Sequence, residues 1–382
     1  MFGLLRSSAE THSFNNLITQ FPLAKNIFLS LLVLLLMLLL SEGAWRILFS
    51  RGDVHRVYDR ELGRVNPPNT EWTMRTPEYT THIRTNSRGF RGQEFPVKDR
   101  DNELRILFIG DSFVEAKQVP EHERFVEQLG QRLEERLGRP ITVRALGIGG
   151  ADPVKELVFY RNLGRTFEAD YVVQVLFAEN DLVGRDMHFI ASRNEHGKFI
   201  LEEIWPEAPP DCSWKCVMLK KSEIIRRTYL FARTIKQKNQ ELALHTLLRD
   251  FIWYTNTGQK QAEEERFALL TMFARTMREE VERDGGRYIA LLMPGAFEIH
   301  EEWREEVIEE YRDRVSREEW NPSGLLDRIV EEFSDISVLD LRPAFLAQAK
   351  QGHLLYYKLD PHLNEYGHDT VTDALLKAIL SL

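Results

Sequence analysis

A chain of 382 residues, 43% hydrophobic and 29% charged, has room for one large α/β domain or two modest ones. Its formal net charge of -9 and pI near 5.8 exclude nucleic acid as the main partner, because phosphate binding draws on a basic surface. It has no zinc-type ligand spacing and no dinucleotide or P-loop fingerprint, so neither a metal nor a cofactor is expected.

The chain opens with a tail, residues 1–25, followed by "IFLSLLVLLLMLLL" from Ile27 to Leu40, which is uncharged and has Ser30 as its one polar side chain. Continued through Ser41, Gly43, Ala44 and Trp45, with only Glu42 against it, the run approaches a bilayer span. Residues 26–45 are therefore expected to form an uncleaved transmembrane anchor; a signal peptide cut after Gly43 is the alternative. Arg6 and Lys25 precede the run, while Arg46, Arg51, Arg56, Arg60 and Arg64 follow it. The positive-inside rule read from these bases leaves the large domain in the cytoplasm, but large domains translocate largely regardless of charge. The expectation is a single-pass membrane protein with an extracytoplasmic domain.

Residues 46–100 are polar and rich in Arg, Pro and Thr, with "VNPPNTEW" as a loop and "NSRGFRG" (Asn86 to Gly92) as a Gly-punctuated segment; they read as a neck or linker. Residues 101–382 read as one domain. Strands are expected at 105–110, 141–147, 171–178, 287–293 and 336–341. Several are near-continuous apolar runs, the pattern of strands buried on both faces of a parallel sheet. Helices are expected at about 121–137, 153–163, 262–284, 300–319, 323–333 and 364–381. This alternation predicts a doubly wound, flavodoxin-like α/β domain with helices on both faces.

Residues 186–261 break the alternation as an insertion with no convincing strand in its middle. It carries Cys212 and Cys216, whose spacing suits a bridge or one face of a helical turn but makes no four-ligand metal site. Its basic stretch "KKSEIIRRTYLFARTIKQK" and the pair Trp253 and Tyr254 suit anionic glycans, lipid head groups or sugar stacking. The preferred reading is plainer: an amphipathic helix, with the aromatics in the core.

Ligands of an open parallel sheet bind beyond the carboxyl ends of its strands, and three segments of interest fall there, with a fourth near the end of the chain. Gly110-Asp111-Ser112-Phe113 follows the first strand; Gly110 permits a sharp turn, and Ser112 exposes hydroxyl and amide together, as a nucleophile requires. Taken alone, an Asp-Ser pair is more often a helix cap. "GIGG", Gly147 to Gly150, follows the second strand and leaves amides free to donate to an oxyanion. "AENDLVG" follows the third, where Asn180 offers a side-chain NH2 to the same oxyanion. In "YKLDPHLNEYGH", an extended stretch would point Asp360 and His362 the same way, with Pro361 limiting the backbone between them. Asp360 would then orient His362, and His362 would take the proton of Ser112. Each signal is weak alone; together they supply nucleophile, base, orienting acid and oxyanion donors.

With these residues the chain resembles the SGNH (GDSL-like) hydrolases, whose four blocks centre on Ser, Gly, Asn and His. "GDSF" matches the nucleophile block, and the resemblance spans about residues 105–382. It implies the SGNH hydrolase fold, Ser112 as nucleophile and oxyanion donor on the turn Gly110-Asp111, Gly150 and Asn180 as further oxyanion donors, and His362 with Asp360 as the terminal block. "NSRGFRG" is similar to the segment that precedes this domain in membrane-anchored members. There are three departures: Ala145 stands where block two usually has asparagine, Ala178-Glu179-Asn180-Asp181 replaces Gly-x-Asn-Asp, and Asp-x-His replaces Asp-x-x-His. The last spacing is similar to the polysaccharide O-acetyltransferase branch, such as the alginate-acetylating enzymes, in which the block order differs.

The expected function is that of a serine-dependent esterase acting on a small-molecule or glycan O-acyl ester, with an acetylated glycan or lipid as the candidate substrates, through an acyl-serine. The alternatives are an O-acetyltransferase of an envelope or exported polysaccharide using the same residues, and an inactive binding protein on the same fold.

Overall fold

The computed structural model describes residues 22–49, 56–95, 102–181, 189–193, 199–203, 222, 254–256, 264–313, 315–360 and 362–381. The chain divides into two compact units, Met1–Ser50 with Asp211–Glu241, and Arg51–Pro210 with Leu242–Leu382.

In the first unit the helix Pro22–Phe49 contains Asn26–Gly43, 18 residues of mean hydropathy 2.1. At about 1.5 Å per residue these rise about 27 Å, close to the thickness of a hydrocarbon core. The helix is long and apolar enough to cross a membrane, and its apolar side chains from Ile27 to Leu40 are exposed rather than packed in a protein core. Ser41 Oγ donates back to the Leu38 carbonyl at 3.0 Å, which satisfies the hydroxyl within the helix.

The second unit begins with two antiparallel hairpins, β1 (Val57–Asp59) with β2 (Gly63–Val65) and β3 (Glu71–Arg75) with β4 (Thr80–Arg84). Then come β5 (Leu104–Gly110), β6 (Ile141–Gly147) and β7 (Tyr171–Leu176), an antiparallel pair β8 (Phe189–Arg193) and β9 (Phe199–Glu203), and finally β10 (Arg287–Leu292) and β11 (Val338–Asp340). Five of these form one parallel sheet in the order β6-β5-β7-β10-β11. The chain enters at β5, steps one way to β6 and then the other way to β7, which makes the β5/β7 border the switch point of a doubly wound α/β sheet.

All seven residues of β5 are buried, and alternation sends them to two cores. Ile106 and Phe108 pack with Phe125 and Leu129 of the helix Phe125–Leu137 and with Val371 and Leu375 of the helix Glu365–Ser381. Leu107 and Ile109 pack with Leu157 of Pro153–Asn162, Met277 of Glu264–Arg283 and Ile329 of Gly324–Glu332. Helices therefore cover both faces, as the apolar runs implied.

The five sheet strands and the long helices lie where the sequence places them, and the differences are local. Short helices occupy Ala296–Ile299 and Arg342–Ala349, and the helix expected at 300–319 ends at Glu310. Within the insertion the β8–β9 pair is an added element. Cys212, Cys216, Trp253 and the basic residues of the stretch lie outside the described residues, whereas Tyr254 is buried with its ring 5.9 Å from that of Phe297.

The larger correction concerns the neck. Residues 56–95 are not a spacer: Leu62, Val65 and Phe90 belong to the core that also contains Leu107 and Ile109. In "NSRGFRG", Asn86 Oδ1 accepts from the amides of Arg88 and Phe90, both at 3.0 Å, folding the segment into a compact turn. That turn drives Phe90 into the core. Arg91, also buried, donates to the carbonyls of Ala116 and Val119, in the segment that follows β5.

Candidate active site

At the end of β5 the chain passes straight into a four-residue helix, Ser112–Glu115. Asp111 caps it, its buried carboxylate accepting from the Phe113 amide at 2.9 Å. The helix closes on Ala116 at φ 48°, a left-handed conformation that is strained for alanine by roughly 1–2 kcal/mol. Gly110 is not among the positive-φ glycines; what it supplies is the lack of a side chain. A Cβ there would lie 2.6 Å from Val114 Cγ2, and one on Gly147 would lie 2.5 Å from the Glu115 amide. The two glycines let the short helix lie directly on the ends of β5 and β6. Ser112, at the first position of that helix, has no acceptor for its amide among the described residues.

Ser112 Oγ is 2.8 Å from His362 Nε2, and His362 Nδ1 is hydrogen-bonded to Asp360 Oδ1. The two side chains are brought together by a tight turn, in which the His362 amide donates to the Asp360 carbonyl at 2.6 Å, not by the extended stretch expected. Pro361 lies outside the described residues. The Phe113 ring, centroid 5.2 Å from that of His362, covers one side of the imidazole. The second oxygen of Asp360 accepts from Tyr79 Oη and from Gln118 Nε2 at 3.3 Å. Burial alone would raise the Asp360 carboxyl, but the hydrogen bonds and charge of His362, with those of Tyr79 and Gln118, outweigh it and hold the group below its ordinary value. It is a carboxylate at neutral pH.

The loop after β6 faces the same serine. Ala151 donates to the Ile148 carbonyl at 2.9 Å, closing a turn whose third residue, Gly150, sits at φ +72°. The Gly150 amide has no acceptor among the described residues. By contrast, the neighbouring Gly149 amide donates to Glu115 Oε2 at 2.8 Å. Glu115 is fully buried; its other oxygen accepts from Asn66 Nδ2 at 2.6 Å and pairs with Lys117 Nζ at 2.9 Å. Burial pushes this carboxyl up, yet Lys117, Arg56 and the Asn66 hydrogen bond win, and it stays below its ordinary value. Arg56 Nη2 completes the arrangement by donating to the Gly149 carbonyl. An ionised Glu115 thus fixes Gly149, which leaves the next amide, that of Gly150, free at the turn.

Asn180 lies in the short helix Ala178–Asp181 beyond β7; its side chain is outside the described residues. Asp181, the last residue of that helix, is buried, and burial together with Glu156, Asp111 and Asp152 pushes its carboxyl well above the usual range. His368, outside the site, is a buried acceptor for the Phe125 amide at 3.3 Å.

The structure therefore brings Ser112, His362, Asp360 and the Gly150 turn together at the sheet's switch point. Sequence reasoning missed Glu115, Asn66, Glu78, Tyr79 and Gln118. Glu115 left one trace, an acid three residues beyond Ser112, but that spacing reads as a capping box.

Neither a protein-family model nor a curated protein sequence matches this chain. Among solved structures it is similar to an acetyl xylan esterase, AlAXEase, at 13% identity over 72% of this chain and 100% of that one, with a TM-score of 0.40. It is also similar to Axe2, an acetylxylan esterase from Geobacillus stearothermophilus, at 13% identity over 72% and 93% of the two chains, with a TM-score of 0.37. The lipase/acylhydrolase from Enterococcus faecalis shares 12% identity over 72% of this chain and 95% of that one, with a TM-score of 0.37. What the site does chemically rests on its own geometry.

Proposed function

We propose that this protein is a serine-dependent ester hydrolase acting through an acyl-Ser112 intermediate. The observation that carries this reading is the continuous hydrogen-bond chain from Ser112 Oγ through His362 to the ionised Asp360. His362 Nε2 takes the hydroxyl proton as Oγ bonds to the ester carbonyl carbon, and Asp360 holds the Nδ1–H tautomer and stabilises the imidazolium. The oxyanion forms against the amides of Ser112 and Gly150, with the Asn180 amide group assigned as a third donor. Collapse breaks the bond to the alcohol, which leaves with the proton from His362. Water, deprotonated by the same imidazole, then releases the acid and restores the serine.

An acetyl ester such as p-nitrophenyl acetate tests this: the wild-type chain releases p-nitrophenol and Ser112→Ala does not. Asn180→Ala is expected to lose about 100- to 1,000-fold in turnover, the usual effect of removing an oxyanion donor. Equal turnover by wild type and Ser112→Ala would refute Ser112 as the nucleophile, and no turnover by the wild-type chain would leave a binding protein on this fold.

A second reading, O-acetyl transfer to a sugar hydroxyl in place of water, is favoured by the Asp360-x-His362 turn. A mass gain of one acetyl on a glycan incubated with an acetyl donor and the protein would select it. In either reading residues 26–45 anchor the protein in a membrane, with the domain extracytoplasmic.

A further inference from the structure

The loop that carries Asp360 and His362 is held by residues nearly three hundred positions earlier in the chain. Thr76 Oγ1 accepts from the amides of Glu78 and Tyr79 at 3.2 and 3.1 Å, and the Thr76 amide donates to the Tyr79 carbonyl at 2.9 Å. These bonds fix the tip between β3 and β4 as one rigid turn. The Glu78 carboxylate then accepts from three successive amides, those of Lys358, Leu359 and Asp360, at 2.7, 2.9 and 3.0 Å. Tyr79 donates to Asp360 Oδ2, and its ring lies 4.9 Å from that of Tyr357, whose amide donates to the His362 carbonyl at 3.0 Å.

This grip is not explained by core formation. Leu359 is 73% exposed, and residues 358–360 form no helix or strand. A carboxylate accepting three consecutive amides sets the loop's path, and a phenol on the oxygen that His362 does not use sets the rotation of the Asp360 carboxylate. The hairpin tip thus holds both the backbone of the loop and, together with Gln118, the Asp360 carboxylate that meets the imidazole.

We propose that Glu78 and Tyr79 are positioning residues for the Asp360–His362 pair, so that the site is complete only with the β3–β4 hairpin docked. This rests on the reading of Ser112 as a nucleophile.

The test uses the full chain in detergent and reads two quantities: the rate at which a fluorophosphonate labels Ser112, and kcat and KM for p-nitrophenyl acetate. Tyr79→Phe is expected to lower both the labelling rate and kcat by about tenfold with KM unchanged, the loss expected for one hydrogen bond to a charged group. Glu78→Gln is expected to lower them severalfold in the same pattern, and the low-field proton resonance of the His362 Nδ1–H should shift in both. Glu71→Gln, on the same hairpin and away from Asp360, is expected to match wild type. Wild-type labelling rates in Tyr79→Phe and Glu78→Gln, with labelling abolished in Ser112→Ala, would overturn the positioning role and leave the nucleophile intact. No labelling of the wild-type chain would instead overturn the nucleophile, and this inference with it. If Tyr79→Phe loses its thermal transition, Glu78→Gln, which keeps the ring, decides by the same rates.

Discussion

Glu115→Gln removes one charge from a buried network while keeping its shape. In the native site one Glu115 oxygen holds Asn66 and Lys117, and the other holds the Gly149 amide. A glutamine has a single carbonyl oxygen, so one of the amide donors must face an NH2 group. A hydrogen bond to a charged group is worth about 1.5–3 kcal/mol. Breaking a fully buried pair costs about 3–5 kcal/mol, but Lys117 is 23% exposed, so water recovers much of that share. The sum is about 2–4 kcal/mol, or a fall in Tm of roughly 4–16 °C for a domain of this size. Because the folded Glu115 carboxyl lies below its ordinary value, this stability is full above the ordinary carboxylate range and is lost as pH falls through the folded value. The gap between wild type and variant should therefore close in acid. Thermal melts across pH, with p-nitrophenyl acetate turnover at neutral pH, measure both effects; turnover should fall about tenfold or more as the Gly149–Gly150 turn relaxes. An unchanged Tm and kcat at neutral pH would refute the role given to Glu115.

Two further outcomes follow from the packing. Gly147→Ala places a Cβ 2.5 Å from the Glu115 amide and 2.7 Å from the Val114 carbonyl carbon, so the nucleophile helix itself must move. The expected cost is about 1–3 kcal/mol, with loss of most ester turnover, measured by melts and by kcat. His368 is held well below its ordinary value by burial and by Arg124 and Arg91, so the unfolded chain takes up its proton first. Stability should decline as pH drops below about 6.5, and His368→Gln should flatten that decline in melts between neutral pH and pH 5.

The sheet was legible because its strands are buried on both faces: "RILFIG" and "YVVQVLFA" are apolar whichever face is counted, and the helices between them are long enough to show their period. Ser112 and the Gly150 turn were legible because strand ends locate ligands in this architecture, and Asp360 and His362 because an acid two residues before a histidine can reach its ring. The hairpins of residues 56–95 were not. Their strands are short and polar, and Leu62, Val65 and Phe90 reveal a core face only once β5 is beside them. Arg342–Ala349 is a short helix with a single buried residue, Phe345, too little pattern to register. Glu115, Tyr79 and Glu78 escaped for a different reason: each acts through partners far along the chain, Gly149, Asp360 and the amides of 358–360, and no local spacing encodes those pairings.

The most direct measurement is peptide mass spectrometry of the full-length chain after treatment with a fluorophosphonate. The expected result is one adduct, on Ser112, absent in Ser112→Ala and formed far more slowly in His362→Ala. An unmodified Ser112 in a chain that still turns over p-nitrophenyl acetate, or an adduct on another serine, would contradict the assignment of Ser112 as the nucleophile.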